Sequence, residues 1–319
     1  MHRTALIRKL LTGAFALCLV VVVLGAYVRL SAAGLGCPDW PGCYGHFTPS
    51  ADAADVGKAW KEMVHRYAAG TLGVLIVVNA ALAIVWRRQR LVSLPLSLLL
   101  LALVCMQGLL GALTVTWQLK PAIVSLHLLF GLSTLSLLWW LLLGALRRKP
   151  GAWGTNISFL GKDLRTARRA ALLGLLALAV QIALGGWTSS NYAAVACPDL
   201  PTCQNAWWPE ADFHAGFALW NNGSLPLPAL VAIHFTHRLG AVLATILLLY
   251  AAIAVLRLRQ DASARRAAGA VLVALALQLV IGVSMVKLAF PLWIATAHNA
   301  GAALLLLSTV ALNRSLRPA

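Results

Sequence analysis

Four histidines stand at related positions within strongly apolar parts of the chain, and their side chains are the first candidates for chemistry. His65 in the first half of the chain is matched by His237 in the second, and His127 is matched by His298 at nearly the same offset in residue number. Two imidazoles that face each other at one depth can bind the iron of a haem from both sides. The alternative role for a membrane-embedded histidine is an interhelical hydrogen bond. Burial of an ionisable side chain in lipid is costly, so four matched histidines favour a functional site.

Glu62 precedes His65 by three residues, so the two side chains share one face of a helix. At the matching place in the second half of the chain stands His234, three residues before His237. A carboxylate in a partly dry site can relay protons or stabilise a developing positive charge. We therefore predict that the first half performs the chemistry and the second half passes electrons. The alternative is that Glu62 only interacts with the positive end of a helix dipole.

An arginine, Arg66 or Arg238, follows the first histidine of each pair. The guanidinium group binds carboxylates through two parallel hydrogen bonds, and haem propionates are carboxylates. Both arginines are therefore candidate propionate partners, although Glu62 or an acidic residue of an outer loop is an equally suitable partner. Gln107 and Gln278, which match at the same offset as His127 and His298, are predicted to form hydrogen bonds between helices, with a place in the pocket as the alternative.

Two cysteine pairs with the same spacing lie in predicted outer loops, in the segments CPDWPGC and CPDLPTC. Cys37 and Cys43 match Cys197 and Cys203 at one constant offset. The outer compartment oxidises thiols, so each pair is predicted to form a local disulfide. The spacing differs from the CxxC of redox motifs and the CxxCH of attached haem. A clip that shapes a lid over each half is the structural interpretation, and a redox role for the first pair is the alternative.

The elements that position these residues are indicated by composition. Of 319 residues, 61% are hydrophobic and only 11% are charged, and the mean hydropathy is +0.82. About 20 apolar residues span a bilayer as a helix, which satisfies its own backbone hydrogen bonds in lipid. Eight runs contain no Asp, Glu, Lys or Arg: 10–28, 67–86, 91–119, 121–146, 170–198, 239–256, 267–286 and 288–313. The sequence therefore predicts an all-α integral membrane protein with eight transmembrane helices.

The basic residues indicate the orientation of these helices. The chain carries 26 Lys and Arg against 9 acidic residues, a net charge of +17. Positive charge accumulates on the cytoplasmic side of membrane proteins. If both termini are cytoplasmic, 19 of the 26 lie inside: Arg3, Arg8, Lys9, Arg87, Arg88, Arg90, Arg147, Arg148, Lys149, Lys162, Arg165, Arg168, Arg169, Arg257, Arg259, Arg265, Arg266, Arg314 and Arg317. We therefore expect cytoplasmic termini, outer cysteine loops and no nucleic-acid partner.

The matched offsets divide the chain into two duplicated four-helix bundles, 1–146 and 170–319, joined by a basic cytoplasmic linker over 147–169. Because four is even, both halves have the same orientation, and a pseudo-twofold axis along the membrane normal is predicted to relate them. In an up-and-down bundle, the second and fourth helices lie diagonally across the core, where cofactors are held. This arrangement places His65 opposite His127 and His237 opposite His298.

These motifs in combination resemble the haem A synthases over nearly the whole chain: EMVHR in the second predicted helix, HxxHR in the sixth, a histidine in the fourth and eighth, and the CPDxPxC loops. The resemblance implies an oxidoreductase that converts the ring methyl of haem O to a formyl group by successive hydroxylations, giving haem A for cytochrome oxidase. It implies that His237 and His298 are axial ligands of a haem b cofactor, that His65 and His127 flank the substrate haem, and that Glu62 is catalytic.

The resemblance also implies partners and a location. Haem O and the lipid bilayer are the expected partners, haem O synthase and an electron-transfer protein are further candidates, and a homo-oligomer is left open. The expected location is a bacterial-type cytoplasmic (inner) membrane. A di-haem b electron-transfer protein and a haem transporter are the alternative functions. Electron carriers usually place their haems at two depths, whereas the four histidines here are predicted at one depth. Loss of Glu62 would stall an oxidation but leave a carrier or transporter working.

Overall fold

The computed structural model describes residues 2–49, 51, 53–89, 91–147, 161–220, 224–258 and 262–317. Within them, eight helices are long and apolar enough to cross a membrane, which confirms the prediction of an all-α, multi-pass membrane protein. These helices are α1 (His2–Leu30), α2 (Val56–Val85), α3 (Leu94–Thr116), α4 (Pro121–Arg147), α5 (Gly161–Ser190), α7 (Leu227–Leu256), α8 (Ala262–Lys287) and α9 (Leu292–Ser315). A single-turn helix, α6 (Phe213–Gly216), lies in the loop between α5 and α7.

The described residues form two compact units, the first containing α1 to α4 and the second containing α5 to α9. In the first unit, α1 and α3 each pack against both α2 and α4. In the second unit, α5 and α8 each pack against both α7 and α9. The long helices of each unit therefore form a ring of four neighbours, in which α2 lies across the bundle from α4, and α7 from α9. These diagonal helices are the ones that carry the four histidines.

The connections between the last two helices of each unit have the same backbone conformation. Gln118 and Leu119, between α3 and α4, have φ of 49° and 56°, and Ala289 and Phe290, between α8 and α9, have φ of 57° and 61°. In both turns the second residue donates its backbone N–H to the carbonyl five residues earlier, at 2.8 Å. This bond provides a partner for a carbonyl of the last helical turn, which has no hydrogen-bond donor within the helix.

The helices α2 and α7 begin earlier in the chain than the charge-free runs 67–86 and 239–256 indicate. The helix α2 starts after Asp55, whose carboxylate accepts a hydrogen bond from the Lys58 backbone N–H at 2.9 Å. The helix α7 starts with a proline in its first turn, where a missing N–H costs nothing. The charge-free run 67–86 does not include the first turns of α2, because charged residues occupy those turns. His65 is consequently well inside its helix rather than near the start.

The predicted linker 147–169 overlaps the second unit, because α5 already begins at Gly161. Residues 148–160 of that linker lie outside the described residues. At its other end, α5 stops at Ser190, well before the end of the charge-free run 170–198. A short 3₁₀ helix, Ala193–Ala196, then leads directly into the second cysteine loop. The C-terminal part of that run is therefore a loop, which positions the cysteines and does not extend the long helix α5.

Candidate functional site

His65 on α2 and His127 on α4 each rest against a glycine of a neighbouring helix. A Cβ added to Gly25 of α1 would lie 2.9 Å from His65 Cε1, and one added to Gly111 of α3 would lie 3.5 Å from His127 Cε1. Gly25 therefore leaves room for the His65 ring, whereas a Cβ at Gly111 would make an ordinary van der Waals contact with His127. The two histidines are also close enough to interact electrostatically. The first unit thus brings together the pair that the sequence predicts.

The second unit holds its histidines in the same way. A Cβ on Gly185 of α5 would lie 3.1 Å from His237 Cε1, and a Cβ on Gly282 of α8 would lie 3.1 Å from His298 Cε1. These two imidazoles also interact electrostatically with each other. The glycines of the two units match at the same offsets in residue number as the cysteines and the later histidines. Three of the four imidazoles, those of His65, His237 and His298, therefore lie closer to a neighbouring helix than a Cβ would comfortably allow.

The donor set in each unit suits a haem. Imidazole is a common axial ligand of haem iron, and each unit offers two from helices on opposite sides of the bundle. Nδ1 of His65 and Nδ1 of His127 are buried and have no hydrogen-bond partner among the described residues. Unpartnered buried nitrogens are costly unless a further group satisfies them. The residues present therefore fit haem binding in both units.

Glu62 is buried beside the first histidine pair, with 5% of its surface exposed. Arg66 Nη2 donates to Glu62 Oε1 at 2.5 Å, in an ion pair within one turn of α2. The backbone N–H of Cys37 donates to Glu62 Oε2 at 3.0 Å. Both carboxylate oxygens thus have a hydrogen-bond donor, and the side chain is fixed between α2 and the first cysteine loop. This contact places a proton-accepting group on the same helix face as His65.

Both arginines bind the backbone of the cysteine loop in their own unit. Arg66 Nη1 donates to the carbonyl of Asp39 at 2.9 Å and to the carbonyl of Gly42. Arg238 Nη1 donates to the carbonyls of the two matching residues in the second cysteine loop, at 2.8 and 2.7 Å. Among the partners that the sequence suggests for Arg66, the structure shows an ion pair with Glu62. A bond from either arginine to a haem propionate stays a prediction.

The two units differ at the position beside their first histidine. In the second unit, Arg238 Nη2 donates to the carbonyl of Cys197 at 2.7 Å, and Arg238 Nε lies 3.4 Å from His234 Nε2. In the first unit, the matching Cys37 instead donates its N–H to Glu62. His234 is 4% exposed, so it replaces a buried carboxylate with a buried imidazole. The contacts between the arginine and the cysteine loop are therefore common to both units, whereas the titratable residue beside the first histidine differs.

Each predicted cysteine pair forms a disulfide, Cys37–Cys43 in the loop between α1 and α2 and Cys197–Cys203 in the loop between α5 and α7. The Asp39 carboxylate accepts hydrogen bonds at 2.6 and 2.8 Å from the backbone N–H groups of the two residues after the second cysteine. Burial acts to raise the pKa of the Asp39 carboxyl, but these backbone donors outweigh it and lower that pKa below its ordinary value. The matching aspartate of the second loop accepts the same two bonds. The two cysteine loops therefore share one internal structure, a disulfide and an aspartate that accepts two backbone hydrogen bonds.

Two kinds of site residue are not predicted from the sequence. One is the set of glycines against the histidines, which the constant offsets of the repeat would have identified. The other is Gln181 of α5, whose Nε2 lies 3.1 Å from His237 Nδ1 and donates to the His237 carbonyl at 3.0 Å. The repeat offers no signal for Gln181, because the matching residue of the first unit is Val21.

Comparison with known proteins agrees with this geometry. A family model, COX15-CtaA, described as cytochrome oxidase assembly protein, matches residues 8–310. A haem A synthase of Shewanella oneidensis is 40% identical over 318 residues, which cover 92% of each chain. A haem A synthase of Halalkalibacterium halodurans is 30% identical over 260 residues, 81% of this chain and 78% of the relative. One of Bacillus cereus is 27% identical over 245 residues, 75% of this chain and 70% of the relative. The chain belongs to the COX15-CtaA family of cytochrome oxidase assembly proteins.

Proposed function

We propose that this chain is a haem A synthase, a membrane oxidoreductase that oxidises the ring methyl of haem O to a formyl group. Relatives named haem A synthase support this function, at up to 40% identity over 92% of the chain. The structural observation that carries it is Glu62, a buried carboxylate beside one histidine pair and absent from the other. A buried carboxyl group beside only one histidine pair gives the two units different chemistry, which an oxidising enzyme with a separate resident haem can use.

The two histidine pairs receive different roles in this proposal. His237 and His298 hold a resident haem b, and His65 and His127 flank the substrate, haem O. The resident haem, when bound, supplies one-electron redox chemistry through its iron. The chain's own residues orient the substrate ring between α2 and α4, and the loop closed by Cys37 and Cys43 covers that end of the bundle. The resemblance of the motifs and the relatives' names support this division.

The chemical balance explains why a proton acceptor is needed. Written as a half-reaction with the added oxygen atom counted as water, conversion of a methyl group to a formyl group releases four electrons and four protons, in two successive oxidation steps. Glu62 is the titratable carboxylate placed beside His65, and its oxygens can accept a proton and pass it toward the outer loop. General acid–base catalysis of this kind contributes about 10²–10⁴-fold to a rate. The four electrons leave to an electron-transfer partner.

Location and partners follow the same proposal. The Lys and Arg distribution supports cytoplasmic termini and outer cysteine loops in a bacterial-type cytoplasmic membrane. Haem O synthase is the proposed source of substrate, and a homo-oligomer is compatible with the function. We also propose that residues 1–146 and 170–319 are duplicated halves related by a pseudo-twofold axis along the membrane normal. Equivalent glycine–histidine and arginine–loop contacts inside each unit support the duplication.

Haem extraction from the purified protein tests the function. The chain is expressed together with haem O synthase, and the bound haems are identified by chromatography and mass. Haem b together with haem A, or with a hydroxylated form of haem O, is the expected result for an oxidising enzyme with a resident haem. Haem b alone, although haem O is present in the same membranes, would contradict the function and favour an electron carrier.

A further inference from the structure

We propose that the two cysteine loops lie on the membrane surface, with Phe47 of the first loop and Trp207 of the second inserted among phospholipid headgroups. Their partner is a lipid bilayer, at its boundary between the polar headgroups and the hydrocarbon. This contact goes beyond the proposed activity and does not depend on the haem chemistry.

Phe47 and Trp207 expose large apolar side chains at matching positions of the two loops. They are 79% and 76% exposed, and the next residue of the second loop, Trp208, is 71% exposed. Phe47 and Trp207 match at the same offset in residue number as the cysteines. Single exposed apolar residues are common, but one that recurs in both units, in one of them beside a second exposed indole, indicates a contact surface.

A fixed backbone presents each of these aromatic residues. In the first loop, Cys43 and His46 exchange two backbone hydrogen bonds, at 2.7 and 3.2 Å. In the second loop, Cys203 and Ala206 exchange the same two bonds, at 3.0 and 3.1 Å. The aromatic residue follows directly, so the disulfide and this bridge hold its backbone in place. A preformed loop loses little conformational entropy when it binds, which favours a role in association.

The first loop folds back along α2. The Tyr67 hydroxyl donates to the Phe47 carbonyl, although Tyr67 lies eleven residues after the helix begins at Val56, about 16 Å along its axis. Residue 67 is also the first of the charge-free run 67–86. Phe47 therefore lies at the level where the apolar part of α2 begins. Further along the helix, exposed apolar side chains continue on the same face as Tyr67, at Val74 and Val78.

The second loop packs against α7 at a similar level. The rings of Trp208 and Phe235 meet edge to face, with centroids 5.2 Å apart and an interplanar angle of 87°. Phe235 lies about one turn before the charge-free run 239–256. Beyond it, exposed apolar side chains continue on the same face of α7, at Leu239, Val242 and Ile246. The two indoles are therefore placed at the end of an exposed apolar face of a long helix.

These contacts favour lipid over a protein as the occupant. The exposed faces belong to helices long and apolar enough to cross a membrane, so hydrocarbon is the surrounding that suits them. Tryptophan and tyrosine concentrate at the membrane–water interface, where the ring lies in an apolar layer while its N–H or O–H reaches water. A water-soluble partner would bind the parts of the loops that project beyond the helix ends, whereas Phe47 and Trp208 lie beside α2 and α7.

Spin labels measure the immersion of each loop in lipid. In a Cys18→Ser/Cys105→Ser background, which removes the two free cysteines, Phe47→Cys and Trp207→Cys are each labelled with a nitroxide. The full chain is placed in phosphatidylcholine nanodiscs, which leave both membrane surfaces accessible. Power-saturation electron paramagnetic resonance compares collisions of the label with oxygen, which concentrates in lipid, and with a water-soluble nickel chelate.

Three further labels calibrate the measurement. Ala54→Cys and Glu210→Cys, at exposed positions of the same two loops, are the matched controls and should collide mainly with nickel. Val74→Cys, on the exposed face of α2, is the lipid reference and should collide mainly with oxygen. Phe47→Cys and Trp207→Cys should give oxygen-to-nickel ratios between these limits and clearly above the matched controls. Ratios equal to those of the controls would overturn the proposal. Shielding from both reagents would also overturn it, because a protein surface or a second copy of the chain would then cover the loops.

The replaced side chains are more than three-quarters exposed, so their substitution leaves the packing of the fold intact. Haem A formation by the unmodified chain is scored separately. Water-exposed labels together with normal haem A would refute only the lipid contact, whereas lipid-immersed labels without haem A would refute only the proposed function.

Discussion

Glu62 and His234 occupy matching positions in the two units but form different hydrogen bonds with their neighbours. Glu62 accepts hydrogen bonds from Arg66 and from the Cys37 backbone. His234 lies 3.4 Å from Arg238 Nε, and its other ring nitrogen has no hydrogen-bond partner in the described part of the chain. An ionised carboxylate only accepts, whereas a neutral imidazole donates from one nitrogen and accepts at the other. A single exchanged side chain thus gives one unit a carboxyl group where the other has an imidazole.

Glu62→Gln should slow the conversion of haem O about 10²–10⁴-fold, because the amide keeps a hydrogen-bonding oxygen but cannot take up a proton. Partly oxidised haem should accumulate, and chromatography with mass detection of extracted haems measures it. Glu210→Gln, at an exposed position of the second outer loop, is the matched control and should leave the haem A yield unchanged. A normal haem A yield from the Glu62 variant would show that another group accepts the proton.

At the scale of helices, glycine permits the close approach of a neighbouring helix to His65, His237 and His298. The helices α1, α3, α5 and α8 each place a glycine against an imidazole of the helix beside it. Small residues of this kind let membrane helices pack closely, since lipid provides no hydrophobic drive for helix association. The orientation of each ring is consequently determined by two helices rather than by its own helix alone.

Gly185→Ala should lower the haem b content of the purified protein and shift its low-spin spectrum, because the new methyl group would lie 3.1 Å from His237 Cε1. Gly269→Ala is the control, since a Cβ there meets nothing within 4 Å. Glycine is unfavourable inside a helix by about 0.5–1 kcal/mol relative to alanine, so the control should be as stable as the parent or more stable. Equal haem spectra for both variants would mean that the glycine does not position the ring.

The elements and site residues were predictable to different extents. Charge-free runs identified all eight long helices, but placed the start of α2 at residue 67 instead of Val56, because four charged residues interrupt the apolar pattern there: Lys58, Lys61, Glu62 and Arg66. Those charges are compatible with a helix since the cysteine loop and Arg66 satisfy Glu62. The histidines were found because they repeat. Gln181 could not be found in that way, since its contact depends on side-chain packing that no repeat signals.

At the scale of the whole chain, two units with different sequences repeat the same local structure. The disulfide loops, the left-handed turns and the glycine–histidine contacts recur at matching positions of the two units. The basic residues are distributed unevenly, with 19 of 26 on the predicted cytoplasmic side. Short loops rich in Lys and Arg usually stay in the cytoplasm, so these charges predict cytoplasmic termini and outer cysteine loops.

Cysteine labelling tests this orientation. In a Cys18→Ser/Cys105→Ser background, Gln118→Cys on the α3–α4 connection should react with a membrane-impermeant maleimide in intact spheroplasts. Arg88→Cys, in the 3₁₀ helix between α2 and α3, should react only after the membrane is opened. Both positions are exposed, so accessibility within the protein does not differ between them. The opposite labelling pattern would reverse the predicted topology.

The turns between α3 and α4 and between α8 and α9 have a practical consequence for protein engineering. Gln118, Leu119, Ala289 and Phe290 hold left-handed backbone conformations with side chains attached, which costs about 1–2 kcal/mol for an ordinary L-residue. Glycine adopts that conformation without this penalty and is the usual residue after a helix end. Gln118→Gly and Ala289→Gly, in the connections that precede α4 and α9, should raise the temperature at which the protein aggregates in detergent. These turns are therefore the first place to seek a more durable variant for biochemical and structural work.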